Sequence, residues 1–249
     1  MKKLSVLALS VILTACGGGG SSSSPTPTTP TTPSTPTPAP DPVQPVGIYT
    51  GTSSNDTGNY EIAALISPDG EIRLIVDDGT QYTANMTIDG STFAAETVLG
   101  FDFYGELFAT GSASGTFTDD TITGETFVND VKVDDFTATK DDQTDDGADL
   151  ATITGNYSTF NGAASFGLDS DGHYTGSNTD GCIFEGDITV IDSDVNVYRA
   201  EMDVTSCGEY SGHYNGLATY AFLFDDDESR SLVIQLDNGI YSISDALYK

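Results

Sequence analysis

From Gly47 onward, apolar and polar residues alternate in short runs broken by glycine, asparagine and aspartate. Thr80 to Ile88 shows the pattern: Tyr82, Ala84, Met86 and Ile88 fall on one face, and Thr83, Asn85 and Thr87 on the other. That period of two predicts a strand with one buried side. Aspartate or asparagine precedes glycine at Asp69-Gly70, Asp78-Gly79, Asp89-Gly90, Asp171-Gly172 and Asn238-Gly239. These residues tolerate the positive φ angles of tight hairpins. Thr, Val, Ile, Tyr and Phe fill the runs between them, and helix signals are almost absent. The expected fold is all-β, as antiparallel barrels or sandwiches.

The pattern also repeats. Gly47-Ile48-Tyr49-Thr50 opens one half and Gly155-Asn156-Tyr157-Ser158 the other, and each leads to a hairpin, Pro68-Asp69-Gly70 and Ser170-Asp171-Gly172. Each half has room for roughly eight short strands. Two tandem β domains are expected over residues 46–140 and 150–249, joined by an acidic linker over 141–149. One continuous sheet shared by both halves is the alternative.

Ahead of the body the pattern changes twice. Lys2 and Lys3 precede an apolar run from Leu4 to Leu13, about half the ~20 residues of a permanent transmembrane helix. A basic tip, a short apolar segment and small residues before a cleavage point make a secretory signal over residues 1–15. Leu13-Thr14-Ala15-Cys16 resembles the lipobox of bacterial lipoproteins, which implies that Cys16 is lipidated and becomes the mature N-terminus. Gly17 rather than aspartate follows it, which resembles the pattern sorted to the outer membrane. Residues 16–45 then form a linker of Gly, Ser, Pro and Thr that holds nine of the ten prolines. Such a segment favours extended, solvated geometry and builds no core, so it reads as a disordered stalk.

Charge narrows the partners. The chain carries 38 acidic residues against eight Lys and Arg, and two of the eight lie in the signal. Nucleic acid is excluded as a partner, since that affinity rests on Lys and Arg meeting phosphates. Docking to anionic lipid through the body is disfavoured for the same reason, which leaves the lipid at Cys16 as the membrane attachment. The acidity itself reads as solubility through self-repulsion.

With Cys16 used by the anchor, Cys182 and Cys207 remain as a pair in an exported chain, where disulfides form and persist. Cys182, Phe184, Gly186, Ile188 and Val190 alternate on one face of an expected strand, and Tyr198, Ala200, Met202 and Val204 on its return. Folding about Ser193 sets Cys182 opposite Val204, three residues short of Cys207, with a bulge at Val197-Tyr198 expected to recover one of them. A disulfide closing ~26 residues contributes about 3 kcal/mol by the chain-entropy argument.

Catalytic signals are missing. His173 and His213 are the only histidines, and neither a nucleophile elbow, a zinc helix nor a phosphate loop is present. Asp169 and Asp171, and Asp142 and Asp146, partly resemble acidic calcium loops. In the second run an EF-hand register puts Ile153 where the bidentate glutamate belongs, and the first is already explained as a hairpin. Asp225-Asp226-Asp227-Glu228 reads as a solvated loop. Tyr210, Tyr214 and Tyr220 are candidates to line a ligand mouth. No metal or cofactor is expected beyond the covalent lipid.

Several segments of the second half resemble a family of proteobacterial two-repeat lipoproteins with no assigned activity. They are Leu150 to Tyr157, Gly181-Cys182-Ile183-Phe184-Glu185-Gly186, Asn196-Val197-Tyr198, Cys207-Gly208 and Tyr214-Asn215-Gly216-Leu217-Ala218. The resemblance implies a shared fold and location and no chemistry. The architecture is also similar to the surface-lipoprotein barrels of the transferrin-binding and factor H-binding types, though a fold does not fix a function. The expectation is an outer-membrane, lipid-anchored β protein on the periplasmic or external face. It is expected to be a non-catalytic module for binding, adhesion or envelope structure, with a protein, glycan or small molecule as partner. A small-ligand carrier with an open barrel is the alternative, ahead of a hydrolytic enzyme.

Overall fold

The computed structural model describes residues 44–222 and 229–249, and in it each half closes into an antiparallel barrel. Barrel 1 is built from β1 (Gly47–Asn55), β2 (Gly58–Ile66), β3 (Glu71–Val76), β4 (Gln81–Asn85), β5 (Thr87–Asp89), β6 (Thr92–Phe101), β7 (Leu107–Phe117), β8 (Thr121–Val128) and β9 (Val131–Lys140). Strand β9 returns to β1, and β4 and β5 both pair with β6. Met86 divides what is otherwise one strand opposite β6, whose residues Glu96 and Thr97 stand in a register shift between Ala95 and Val98. The ring therefore closes with eight strand positions. Barrel 2 runs β10 (Gly155–Thr159), β11 (Ala164–Leu168), β12 (His173–Asn178), β13 (Ile183–Val190), β14 (Tyr198–Thr205), β15 (Gly212–Ala221), β16 (Ser231–Asp237) and β17 (Ser242–Tyr248), and β17 closes on β10. Among the described residues neither a sandwich nor one shared sheet forms.

The repeat is visible in detail. Gly70 and Gly172 both take positive φ, 87° and 91°, in the hairpins after β2 and β11. Their carbonyls accept from Met86 N and Ile188 N, each at 2.8 Å. A side chain at either hairpin would be strained by the backbone and would strike those neighbours.

Alternation along the strands places one face inward, yet some strands are apolar on both faces. Ile62 to Ile66 in β2 and Leu232 to Leu236 in β16 are buried throughout. Their outward residues meet at a joint between the barrels, where Ile48, Ala63 and Leu65 pack with Val197, Leu217, Ala221 and Val233. Beside this patch lies a buried ion network. Arg73 donates to Glu71 and Asp237, and to the carbonyl of Asn215 at 3.0 Å. Arg199 reaches across to Glu71 at 2.6 Å and Asp69 at 2.8 Å. Ser67 Oγ donates to Asp69, and with Arg199 it holds that carboxyl below its ordinary range against the opposing effect of burial.

The acidic run between the barrels is docked rather than free. Asp142–Asp146 form a 3-10 turn capped by Asp141, and Leu150–Ile153 form a short helix, α1, capped by Asp149. Thr144 is fully buried, and its hydroxyl meets both Ile48 N, at 2.9 Å, and Ile48 O. Asn196 N donates to Thr144 O, and the side-chain amide of Gln143 bridges to the backbone of Phe222. Arg230 pairs with Asp146 and Lys140 with Asp145. Ala148 and Ile153 then stop one end of barrel 2.

Candidate functional site

The two barrels are filled differently. Tyrosines dominate the core of barrel 2, and the hydroxyls of the four buried ones each have a partner. Tyr157 donates to Ile153 O, Tyr174 to Glu201 O and Tyr214 to Tyr210 O, while Tyr198 accepts from Asp149 N. Tyr174 crosses β13 at Gly186, where a Cβ would lie 2.8 Å from its hydroxyl oxygen. Together with Phe166, Leu168, Ile188 and Leu232 these rings leave a gap of only about 10 Å³ in the middle of the barrel.

Barrel 1 presents alanines at many inward positions. Ala64, Ala84, Ala95, Ala113 and Ala138 face a lumen otherwise walled by branched aliphatic residues and Phe93 and Phe136. Their small volumes leave an apolar cavity of about 80 Å³. Its rim is polar. Asp134 accepts from Asn55 Nδ2 at 2.8 Å and from Thr126 Oγ1 at 3.2 Å, and Ser53 and Tyr82 complete the ring. Burial, reinforced by Asp134 and Asp78, pushes the Tyr82 phenol up to about 12, so it stays a neutral donor at physiological pH. A second recess of about 210 Å³ shares Tyr82, Val98, Thr126 and Asp134 with the lumen and is walled by Phe108 and Phe127. An apolar chamber with a few oriented polar groups at its entrance can hold a small uncharged ligand.

Cys182 and Cys207 form a disulfide, with Cα atoms 4.6 Å apart. The hairpin register differs from the expected one. Phe184 faces Val204, so the strands are symmetric about Asp194 rather than Ser193, and the β13–β14 ladder has no bulge. A loop from Ile191 to Val197 spends the extra residues. Val197 breaks the alternation because it is buried in the joint, not because it bulges.

The remaining candidates are dispersed. His173 lies near Asp187 and Glu185, and His213 bonds Asp203 at 2.9 Å and Asn215 at 3.1 Å, all on the outer face of barrel 2. The Asp203 hydrogen bond raises the His213 pKa above its ordinary value. Asp169 accepts from the backbone of Asp171 and His173 and so shapes its hairpin. Asp146 is engaged by Arg230, and Asp142 sits in the 3-10 turn. Among the described residues no group of three acidic, His or Cys side chains is placed to hold a metal ion. Tyr214 is buried in the core, Tyr220 packs under Lys249 and Tyr210 meets Tyr241 edge-on, so these three line no shared mouth. Cys16, the signal and nearly all of the stalk, and Asp225 to Glu228, lie outside the described residues.

The sequence reading did not single out the alanine-lined lumen or its Asn55–Asp134–Thr126 rim. Their signal was the inward parity of Asp134, Phe136 and Ala138 along β9. Compared with protein-family models, curated proteins and solved structures, the chain matches none.

Proposed function

We propose that this chain is a lipid-anchored, non-catalytic binding protein of the bacterial outer membrane that holds a small apolar ligand in barrel 1. The observation that carries the binding role is the cavity walled by alanine and branched residues, next to a repeat whose middle is filled. An eight-stranded barrel is just wide enough either to fill with side chains or to keep one small ligand. The outer strand faces support a water-facing barrel: they carry Glu185, Asp187, Glu201 and Asp203, the reverse of an apolar lipid-facing band.

Xenon or benzene titrated into the protein should shift the methyl resonances of Ile62, Ile72, Leu74 and Val98 and leave those of Ile188 and Leu232 in place. Ala95→Leu should abolish the shifts. Saturating probe with no change in the barrel 1 methyls would refute the carrier role. For the anchor, Cys16→Ser should release the protein from membranes; retention of the variant would refute lipidation at that residue.

One observation favours a second reading, adhesion. The β6–β7 turn of barrel 1 lies against the β16–β17 turn of barrel 2, through Leu107 N to Ile240 O at 3.1 Å and Ser242 N to Gly105 O at 2.8 Å. Phe103, Tyr104, Phe108 and Ile240 are exposed there. Phe103→Ser with Tyr104→Ser should leave ligand uptake unchanged; loss of cell or matrix attachment in that variant would favour adhesion.

A further inference from the structure

We infer that the disulfide-bearing end of barrel 2 is a binding site for an apolar organic monocation, with Asp245 as its counter-charge. The site is independent of the barrel 1 lumen. Barrel 2 is stopped at one end by α1, but its other end is not closed. Strand β17 pairs with β10 only at Ser158–Tyr248 and Thr159–Leu247, and Ser242 N turns to Gly105 O of barrel 1, so β17 from Ile243 to Ala246 has no ladder partner on that side among the described residues. The seam opens into a cavity of about 340 Å³, within the range of small-molecule sites.

Its chemistry is one-sided. Ile243, Asp245 and Leu247 share the inward parity of β17, and Asp245 reaches the cavity between them. Phe166, Phe184, Met202 and Ile234 form the inner wall, and Phe160 stands at the rim, 93% exposed, edge-on to Tyr248. Among the described residues, no other one lining this cavity, from β10 round to β17, is charged or titratable. Asp245 has no cationic partner among the described residues, while every arginine of the chain is paired at the joint. The carboxylate keeps contact with solvent through the mouth but has apolar groups behind it. That environment pushes its pKa up to about 6, against a partial stabilisation by the backbone N–H of Ala246.

The repeat shows that this placement is specific to barrel 2. Aligned on Lys140 and Lys249, the inward residues of the last strand read Asp134, Phe136, Ala138 in barrel 1 and Ile243, Asp245, Leu247 in barrel 2. The carboxylate has moved one inward position along the strand, away from the Asn55 and Thr126 partners that satisfy its counterpart, and it stands exposed at the mouth. An unpaired carboxylate among aromatic faces and a thioether is suited to an ammonium group with apolar substituents, which gains both ion pairing and cation–π contact. An anion would meet repulsion there, and a neutral ligand would leave the carboxylate desolvated and unpaired.

The test uses benzyltrimethylammonium as probe, neopentylbenzene as its neutral isostere with carbon in place of nitrogen, and chemical-shift titration of the full mature chain at pH 8. The expected result is saturable binding of the cation that shifts Met202, Ile234 and Ile243. Asp245→Asn should weaken it by roughly tenfold or more. That substitution removes one of 38 acidic residues, so diffuse attraction of cations hardly changes. Affinity should also fall as pH drops below about 6, where Asp245 takes up a proton. Phe160→Ala, at an exposed rim position, gives a second variant, in which weaker cation binding is expected without loss of fold. Equal affinity for the isostere, or no effect of Asp245→Asn in a folded variant, would overturn the inference, as would the absence of binding.

Discussion

Barrel 1 and barrel 2 share eight strand positions, hairpin glycines and a lysine at or just after the end of the last strand, yet their interiors diverge. Barrel 1 faces its lumen with Ala64, Ala95 and Ala138, whereas barrel 2 adds Tyr174, Tyr198 and Tyr214 to Tyr157, the counterpart of Tyr49, and anchors their hydroxyls to backbone. Closure fixes the diameter of an eight-stranded ring, and inward side-chain volume then decides whether space remains. One fold has thereby been used once as a chamber and once as a packed body with a charged mouth.

The sharpest way to separate the two barrels is at their joint. Arg73→Ala leaves Asp237 without its cation and Glu71 with Arg199 alone, at a cost of about 3 kcal/mol. Urea unfolding followed by hydrogen exchange should change from one shared transition to two, and residues 141–149 should become open to protease. A single unaltered transition would mean that the network contributes little to the coupling. Replacing both Cys182 and Cys207 with serine should cost about 3 kcal/mol, since the bridge spans 25 residues. Exchange protection should fall chiefly in β13 to β15, with barrel 1 less affected.

Filling the interiors gives opposite signs. Ala95→Val adds methyl groups beside the barrel 1 cavity and should stabilise by up to about 1 kcal/mol. Ala200→Val has no such space and should destabilise by about 1–3 kcal/mol. Equal signs in thermal melts would end the distinction between chamber and packed body.

The subtlest difference is in pH. Asp245 is raised from 3.8 to about 6, so folded protein holds this proton more tightly than the unfolded chain. Its contribution to stability therefore improves as pH falls from above 6 toward 4, opposite to a salt-bridged carboxylate. Asp245→Asn should raise stability at pH 8 and change it little at pH 4. A variant that loses stability at pH 8 would show Asp245 engaged in a favourable contact.

The barrels themselves were legible in the chain, because alternation and Asp-Gly hairpins act locally. The disulfide was legible from the cysteine count and the expected export signal, although its register was not, since the length of the Ile191–Val197 loop depends on packing against the other barrel. The joint left a trace in the unbroken apolar runs Ile62–Ile66 and Leu232–Ile234. Such runs announce burial on both faces but do not name the surface that covers them. Acidity concealed the rest. Asp134 and Asp245 differ from the other carboxylates only in facing inward, and Asp141–Gly147 reads as a solvated linker until Thr144 is seen bonded to Ile48.

The position of β1 has a mechanical consequence. This strand is the first of the body, so tension arriving from the N-terminal side enters there. It is laddered to β2 over nine residue pairs and to β9 over six, and Thr144 clasps it at Ile48. A pull along the strand loads these bonds together in shear rather than opening them one at a time. A body tethered at this end is thus gripped where a tether would tug hardest, and its resistance to force is set by the rate at which β1 slides free.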